Sequence, residues 1–482
     1  MAGLACMLHQ AGRISRNRPA ILATDVHIGY GEFDLMVSAT AAWLQAAGLH
    51  TGQRVALYME DSWAAVTLIL ALIRIGAIAA PLSTRLPVKA VRRQLDQIHC
   101  TTLIARVRAT SQPVLEGITC LDPDGLVDRS LSADQTQTAF TIPDPKPASI
   151  IFTSGQTHEP KAVLHSYGNH YYSALGVNQQ LRFGSTDCWL LALPLYHVGG
   201  LSIIFRCLQA GAAMAVPASR TAWVEALSQF PVTHLSLVPT QLQRLLDTDL
   251  PKEKRATVRA VVVGGAAAPP ALLDRAREAG WPIATSYGNT EMTSQITTAR
   301  PHTRPTASPT TGPVLRYREI QIQDDGEIWT RGATCCLGYV EGDAVRPVLN
   351  ESGWLATGDN GEWNHQQHLR VTGRQDHLII SGGENIQPME IEQALLAIPG
   401  IRQAVVVGVA HPEFGQRPVA FVDDTSQREV DALRAGLAAT LPRFKIPDHF
   451  HPWPTDLKTT GIKPPRRALQ ERATAGKLKE KG

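Results

Sequence analysis

Short apolar runs alternate with longer amphipathic stretches through most of this chain. Residues 54–58, 234–238 and 260–263 are apolar runs of strand length, and each is followed by apolar positions at helical spacing. Pro269 and Pro270 open the third of these helices. Apolar strands that alternate with amphipathic helices predict an α/β architecture with largely parallel sheets.

The pattern changes after about residue 316. Residues 319–323 and 327–330 alternate apolar and polar positions on either side of Asp325-Gly326. Alternation interrupted by an Asp-Gly turn predicts a hairpin, so antiparallel structure is expected in this part of the chain.

A second change falls at residues 373–376. Beyond it, the pattern predicts a helix over 388–397, a strand over 404–409 and a helix over 429–441. These elements make a separate small domain of roughly 100 residues, a usual domain size. The polar, basic tail from Ala473 onward is expected to be frayed.

The composition narrows the class of protein. Of the 482 residues, 44% are hydrophobic and 18% charged, which is typical of a folded globular chain. The formal net charge is +3 and no basic stripe is present, so we expect no nucleic-acid partner. The longest apolar run, 64–82, is interrupted by Arg74, which indicates a buried helix plus a strand and no membrane insertion.

Cysteine usage and the N-terminus bear on the compartment. The seven cysteines contain no Cys-x-x-Cys pair, which argues against a zinc site or a disulfide framework and for a reducing environment. The first residues lack the charged start and long apolar centre of a signal peptide, so we expect a cytoplasmic protein. The sequence does not decide between a monomer and a homo-oligomer.

The strongest chemical signal is the stretch from Thr153 to Lys161, which follows a short apolar strand at 148–152. Glycine lets a backbone approach a ligand closely, backbone N–H groups and hydroxyls donate hydrogen bonds, and lysine adds positive charge, so this loop suits phosphate. It lacks the Gly-x-x-x-x-Gly-Lys-Ser/Thr spacing of the P-loop nucleoside triphosphatases. The candidate phosphate ligands are Thr153, Ser154, Gly155, Gln156, Thr157 and Lys161.

Five further segments carry side chains that bear on the chemistry. An aromatic residue beside glycine can stack on a base, a nearby Glu can bind a divalent cation, and an Asp on a tight loop can accept both ribose hydroxyls. Each segment also has an ordinary explanation: a solvated turn, a capped turn, a hairpin turn, a tail lysine or a satisfied core histidine. The segments are 286–291, 357–359, 373–386, 461–466 and 194–200.

Taken in order across more than 300 residues, these six segments resemble the adenylate-forming superfamily of acyl- and aryl-CoA ligases, luciferases and nonribosomal adenylation domains. Thr153–Lys161 is similar to the superfamily pattern Thr-Ser-Gly-Ser/Thr-Thr-Gly-x-Pro-Lys, with Gln156 in place of Ser or Thr and His158 in place of Gly. Within the superfamily, the Ile-Gln-Pro after Gly382-Gly383-Glu384 and the Gly-Ile-Lys ending at Lys463 resemble the o-succinylbenzoate–CoA ligase family of menaquinone biosynthesis.

The resemblance implies an α/β fold with a large N-terminal domain and a small mobile α+β C-terminal domain. The N-terminal domain, residues 1–374, would contain two sheet-and-helix subdomains and a small antiparallel barrel-like part. The C-terminal domain would span 375–482 and rotate about Asp376 between two half-reactions. The substrates would be ATP, CoA and 2-succinylbenzoate, with Mg²⁺ as cofactor.

The resemblance also assigns roles to single residues. Lys463 would bridge the α-phosphate and the substrate carboxylate, and Glu291 would bind Mg²⁺. The loop of Gly382, Gly383 and Glu384 would serve the thioester-forming pose. The acyl substrate would meet His197, which is also a candidate catalytic residue, Gly199 and Gly200. The remaining nucleotide ligands would be Gly264, Gly265, Ala266, Tyr287, Gly288, Thr290, Asp359 and Arg374.

Two alternatives stay open on the sequence. Another aryl- or acyl-CoA ligase would share the same motifs and mechanism. A non-catalytic nucleotide-binding paralogue is conceivable because the phosphate loop departs at two positions, although Lys463, Glu291, Asp359 and Arg374 are all retained. The donor that would hold the aromatic carboxylate of 2-succinylbenzoate is not identified from the sequence.

Overall fold

The computed structural model describes residues 3–106, 116–123, 141–153, 160–248, 250–302, 310–457 and 465–474. Within these residues the helices are α1 (Met7–Ile14), α2 (Tyr30–Ala46), α3 (Trp63–Ile75), α4 (Val88–Gln97), α5 (Tyr167–Leu181), α6 (Val198–Ala210), α7 (Trp223–Gln229), α8 (Pro239–Leu246), α9 (Lys252–Thr257), α10 (Pro270–Glu278), α11 (Pro388–Leu396), α12 (Val430–Ala438) and α13 (Arg466–Thr474).

The strands of the first half of the chain are β1 (Leu4–Ala5), β2 (Pro19–Leu22), β3 (His27–Gly29), β4 (Arg54–Tyr58), β5 (Ile78–Pro81), β6 (Thr102–Ala105), β7 (Thr119–Leu121), β8 (Thr141–Ile142), β9 (Pro147–Phe152), β10 (Ala162–Ser166), β11 (Cys188–Leu190), β12 (Ala213–Ala215) and β13 (His234–Leu237). Those of the second half are β14 (Ala260–Val263), β15 (Ile283–Asn289), β16 (Ser294–Thr298), β17 (Glu319–Ile322), β18 (Glu327–Arg331), β19 (Gly338–Glu341), β20 (Ala344–Arg346), β21 (Leu355–Trp363), β22 (Leu369–Arg374), β23 (Ile379–Ser381), β24 (Glu384–Ile386), β25 (Ile401–His411), β26 (Gly415–Asp424) and β27 (His449–Pro452).

Two eight-stranded sheets carry most of the N-terminal part. Their strand orders are β20-β19-β10-β9-β5-β4-β6-β7 and β16-β15-β14-β13-β11-β12-β2-β3. The pairings in the middle of each sheet are parallel, as the alternating pattern predicts. The pairings at the edges are antiparallel, except that the edge strand β7 pairs parallel with β6. The largest apolar cluster draws on helices α2, α3, α5 and α6 and on strands of both sheets, so the core lies between them.

The apolar run at 64–82 shows why these elements form where they do. Helix α3 begins after Ser62, whose hydroxyl accepts a hydrogen bond from the N–H of Ala65, and ends at Gly76, whose φ of +81° suits glycine. Strand β5 follows with all four residues buried. The prediction of a helix plus a strand is confirmed, and no helix among the described residues is long and apolar enough to cross a bilayer.

The remaining described sheets are smaller. Strands β17-β18-β21-β22 form an antiparallel, curled half-barrel sheet, which confirms the hairpin predicted at the Asp325-Gly326 turn. Strands β23 to β27 form a sheet that packs with α11, α12 and α13, so the C-terminal part is α+β. The prediction that the tail frays from Ala473 onward is wrong for its first residues. Ala473 lies in α13 and packs against a buried apolar cluster that includes residues of β25.

Candidate functional site

The glycines expected beside a base lie at the ends of two neighbouring parallel strands. Gly264 and Gly265 directly follow β14, and Tyr287 and Gly288 lie near the end of β15. A Cβ on Gly264 would stand 2.5 Å from the hydroxyl oxygen of Ser286, and the φ of Gly265 is +80°. The φ of Gly265 favours glycine, and a side chain at 264 would have to displace the Ser286 hydroxyl. The structure brings the two predicted segments together.

Asp359 sits at the centre of a chain of hydrogen bonds. Its carboxylate accepts from the Tyr287 hydroxyl at 2.8 Å and from Arg374 Nη1 at 2.8 Å. Arg374 Nε in turn donates to Asp376 at 2.8 Å. The side chain of Asp359 is only 13% exposed, so this acceptor is held among fixed donors.

The tight loop expected around Asp359 is wrong. Asp359 lies in the middle of strand β21 and faces Arg374 of β22 as its cross-strand partner. Gly358 has a φ of +71°, and the register shifts between Asn360 and Gly361, so the strand is locally distorted. The ladder therefore fixes the Asp359–Arg374 pair directly, which a loop would not do.

The charges along the hydrogen-bonded series Tyr287, Asp359, Arg374 and Asp376 reinforce one another. Burial, together with the Asp359 carboxylate, raises the pKa of Tyr287 well above its usual value, so the phenol stays a donor. Burial lowers the pKa of Arg374, but its hydrogen bond to Asp376 and the charge of Asp359 outweigh burial and raise that pKa. Burial raises the pKa of Asp376, but its hydrogen bond with Arg374 and the charge of Arg374 outweigh burial and lower that pKa.

The ends of the predicted phosphate loop form the base of a hairpin. The N–H of Thr153 donates to the carbonyl of Lys161 at 2.9 Å, and the N–H of Lys161 donates back to the Thr153 hydroxyl at 3.3 Å. These residues adjoin β9 and β10, which pair antiparallel. The predicted ligands Ser154, Gly155, Gln156 and Thr157, together with His158, lie outside the described residues.

Lys161 and Glu291 meet at Tyr339. The Lys161 ammonium lies 4.9 Å from the centre of the Tyr339 ring, and the Tyr339 hydroxyl donates to Glu291 at 2.8 Å. The adjacent Thr290 carbonyl accepts from His165 Nε2 at 2.7 Å, and burial lowers the pKa of His165 to about 4, so that ring is neutral at pH 7.

Glu291 suits a magnesium ion that is held mainly by phosphates. The described residues contain no cluster of three or more His, Cys, Asp or Glu side chains that could form an all-protein metal cage. Mg²⁺ usually binds one or two carboxylates, substrate phosphates and waters, so a single partly exposed Glu near the phosphate loop fits it.

The acyl-side residues surround the start of helix α6. His197 is the residue before α6, is only partly buried, and its ring lies 4.7 Å from that of Tyr196. The ordinary explanation of a buried core histidine therefore does not fit. A Cβ on Gly200 would stand 2.1 Å from the carbonyl oxygen of Pro194, so the turn into the helix requires glycine there; Gly199 lies beside it.

Arg206 is a functional candidate that the sequence reasoning missed. It lies on the same face of α6 as Gly199 and Ser202, is 1% exposed, and donates from Nη2 to the Ser294 hydroxyl at 3.1 Å. No carboxylate among the described residues pairs with it, and its Nε has no hydrogen-bond partner. The available signal is a single charged residue in the segment 201–208, in which Ser202 is the one other polar residue.

Two other predicted groups are not joined to this cluster by the described contacts. Gly382 and Gly383 form the turn between β23 and β24, and the Gly382 N–H donates to the carbonyl of Phe414 at 2.8 Å; Glu384 begins β24. Lys463 lies outside the described residues. Ala266 follows Gly265 in the loop between β14 and α10.

Known proteins resemble the chain along nearly its full length. The AMP-binding enzyme family model matches residues 8–340, and the AMP-binding enzyme C-terminal domain matches 390–462. A 2-succinylbenzoate--CoA ligase of Salmonella typhimurium is 35% identical over 95% of this chain and 96% of its own length.

Solved structures agree with this match. The o-succinylbenzoate CoA synthetase (MenE) of Bacillus subtilis in complex with the acyl-adenylate intermediate OSB-AMP has a TM-score of 0.85 and 28% identity, covering 98% of this chain and 99% of its own. The same enzyme in complex with ATP and a magnesium ion has a TM-score of 0.84 and 28% identity, covering 94% and 96%.

Proposed function

Because the chain belongs to the AMP-binding enzyme family, and because the relatives it matches end to end are 2-succinylbenzoate–CoA ligases, we propose that it joins 2-succinylbenzoate to CoA. ATP first converts the succinyl carboxylate to an acyl-adenylate and releases pyrophosphate. The thiol of CoA then displaces AMP. The product is an intermediate of menaquinone biosynthesis. The observation that supports this proposal is that the segment 287–291 carries one member of each of two groups. Tyr287 donates to Asp359, which pairs with Arg374, and Glu291 accepts from Tyr339, whose ring faces Lys161.

The first step must bring two anions together. A carboxylate attacks the α-phosphate of ATP only if their repulsion is neutralised by cations and donors that are already in place. Lys161 supplies a cation at the base of the phosphate loop, and Thr153 supplies a hydroxyl beside it. We assign both to the pyrophosphate portion of ATP, together with Ser154, Gly155, Gln156 and Thr157.

The nucleoside half of ATP would lie between the two strand ends and the half-barrel sheet. Asp359 is positioned to accept the ribose hydroxyls, because the Tyr287 hydroxyl and Arg374 hold both of its oxygens in place. We assign the adenine to the space between the two segments that follow and end these strands. The first segment contains Gly264, Gly265 and Ala266, and the second contains Tyr287, Gly288 and Thr290.

Glu291 is the proposed magnesium ligand. When bound, Mg²⁺ would neutralise charge on the phosphate oxygens of ATP. The protein's own contribution is to fix one carboxylate beside the phosphate loop, through the Tyr339 hydroxyl and the Thr290 carbonyl that His165 holds.

Arg206 is the proposed donor for the second carboxylate of the substrate. 2-Succinylbenzoate carries an aromatic carboxylate that must enter a buried pocket, and a buried anion requires a matched donor. Arg206 is a buried cation without a described carboxylate partner, on the helix that begins beside His197 and Gly200. We assign it to that carboxylate, with His197, Gly199 and Gly200 lining the acyl group.

The second half-reaction involves the C-terminal domain, 375–482. We assign the hinge to Asp376, at the boundary with the N-terminal domain 1–374, where the short segment Gln375–His377 separates β22 from β23. Lys463 would act in adenylation, bridging the two reacting anions. The turn of Gly382, Gly383 and Glu384 would face the site in the thioester-forming pose.

A pyrophosphate-release assay across a panel of carboxylic acids, with and without CoA, tests the proposal. Release that requires 2-succinylbenzoate is the expected result. Release with other aryl or acyl acids would instead support the alternative CoA ligase. No release with any acid, despite ATP binding, would support a non-catalytic nucleotide-binding protein.

The two departures in the phosphate loop can be tested separately. Gln156 and His158 can both still donate hydrogen bonds to phosphate. We expect Gln156→Ser combined with His158→Gly to change the Michaelis constant for ATP. Unchanged ATP kinetics would mean that these positions do not tune the loop.

A cytoplasmic location is also part of the proposal, and the seven free cysteines support it.

A further inference from the structure

Tyr339 contacts three charged side chains around the proposed phosphate and metal positions. Its hydroxyl donates to Glu291 Oε1 at 2.8 Å, while the Lys161 ammonium and the Arg346 guanidinium lie 4.9 and 5.1 Å from the centre of its ring. The residue is only 8% exposed. A single aromatic side chain is thus shared by the lysine of the phosphate loop and the candidate metal carboxylate.

The backbone fixes this arrangement from both sides. Tyr339 is the ladder partner of Val163, two residues after Lys161, and Leu337 N–H donates to the Leu164 carbonyl at 2.8 Å. On the other side, Cys336 N–H donates to the carbonyl of Glu291 at 2.7 Å. The sheet and these hydrogen bonds therefore fix the backbone that carries Tyr339 relative to the strand that follows Lys161 and to Glu291.

The chemistry of the ring explains why a tyrosine suits this place. A lysine and a glutamate that both serve the same phosphates risk pairing with each other, which would cancel the charges that each must offer. No ion pair among the described residues joins Lys161 to Glu291. Tyr339 gives the ammonium a neutral π face and the carboxylate a neutral donor.

We propose that Tyr339 is a positioning residue that holds Lys161 and Glu291 apart and aims both at the phosphates of ATP. The inference rests on the proposed function, in which Glu291 binds Mg²⁺ and Lys161 binds phosphate. The Tyr339 hydroxyl acts on the Glu291 carboxylate and the Tyr339 ring acts on Lys161, so the two effects can be separated by substitution.

The test measures ATP binding at equilibrium by titration calorimetry, in EDTA and across a series of Mg²⁺ concentrations. Tyr339→Phe removes the hydroxyl and keeps the ring. We expect it to raise the Mg²⁺ concentration that half-saturates the gain in ATP affinity by about 10-fold, the scale of one hydrogen bond to a charged group, with ATP affinity in EDTA unchanged. Tyr339→Leu should weaken ATP binding in EDTA as well.

Two further variants make the outcome decisive. Tyr58 lies in the same sheet as Tyr339, and its hydroxyl donates to the carbonyl of Thr84. The control variant Tyr58→Phe removes this hydroxyl and should bind ATP and Mg²⁺ as the wild type does. Glu291→Gln reports on the metal assignment itself. If Glu291→Gln shifts the Mg²⁺ dependence and Tyr339→Phe does not, the role of Tyr339 is wrong. If Glu291→Gln has no effect either, the metal assignment fails and the inference falls with it. Thermal unfolding verifies that each variant is folded.

Discussion

Replacing Arg206 with methionine should separate the stability of this protein from its function. Methionine has a similar length and an apolar, adaptable side chain, so it fills the space and removes the charge. Burial lowers the pKa of Arg206 from the usual value of an arginine to about 9, which corresponds to roughly 5 kcal/mol against the charged form at 1.36 kcal/mol per pKa unit.

The contacts that offset this penalty are few. The hydrogen bond to Ser294 is worth about 2 kcal/mol, and the stacking of the guanidinium 4.9 Å from the Trp189 ring adds about 2 kcal/mol in a desolvated site. Together these two contacts nearly offset the cost of burying the charge. We therefore expect Arg206→Met to change the free energy of unfolding by no more than about 1–2 kcal/mol, and if anything to raise it.

Binding of the substrate should respond in the opposite way. Removing one partner of a buried charge pair costs about 2 kcal/mol or more, so the Michaelis constant for 2-succinylbenzoate should rise at least roughly 30-fold. Urea unfolding and pyrophosphate release measure the two effects.

Arg318 is the matched control. It is also a buried arginine with a pKa lowered by burial to about 9, but it donates to the Arg316 carbonyl and to the hydroxyl and carbonyl of Ser173. Arg318→Met should destabilise the fold by several kcal/mol because these acceptors lose their donors. If Arg206→Met destabilised the protein as much as Arg318→Met while the substrate constant stayed the same, the assignment of Arg206 would be refuted.

Three other substitutions give distinct outcomes. Lys463→Ala should abolish adenylation but leave thioester formation from a supplied acyl-adenylate nearly intact in a single-turnover assay; equal loss of both steps would contradict the two-pose assignment. Asp359→Asn should weaken ATP binding at least about 10-fold by calorimetry, because it removes the charge that Arg374 and the ribose share; unchanged affinity would remove Asp359 from the site. Burial raises the pKa of Asp61 from 3.8 to about 6, so the folded carboxyl keeps its proton longer than the unfolded one, and stability falls as pH rises from about 4 to 6. Asp61→Asn keeps an acceptor for the Leu195 N–H and should gain up to roughly 3 kcal/mol over wild type at pH 7 but little at pH 4; a pH-independent difference in urea unfolding would contradict this.

Local patterns predicted the elements whose neighbours in sequence determine them. Helix α3 was predictable because Ser62 and Gly76 cap an apolar run, and the hairpin of β17 and β18 because an Asp-Gly turn interrupts alternating residues. The glycines around Asp359 suggest turns and predict a loop, whereas its strand forms through the ladders to β18 and β22.

Contacts between distant parts of the chain could not be predicted in this way. Tyr339 and Glu291 are 48 residues apart, and nothing near either residue indicates that they share a hydrogen bond. The role of Arg206 depends on burial beside Ser294, 88 residues away. The motif residues can be proposed from the sequence because their chemistry is local, whereas their supporting residues cannot, because the fold alone brings those together.

The hairpin base of the phosphate loop has a consequence for how such loops can change. Thr153 and Lys161 are joined by two hydrogen bonds at the end of the paired strands β9 and β10, so the chain between them begins and ends at one place on a rigid sheet. The entropy of closing a flexible loop changes slowly with its length, and the ends of this segment are fixed by the sheet whatever lies between them. The segment is therefore an exchangeable module: residues 154–160 of a relative could be transplanted between the same two strands with the sheet register preserved, and the nucleotide preference of the loop could vary while the fold does not.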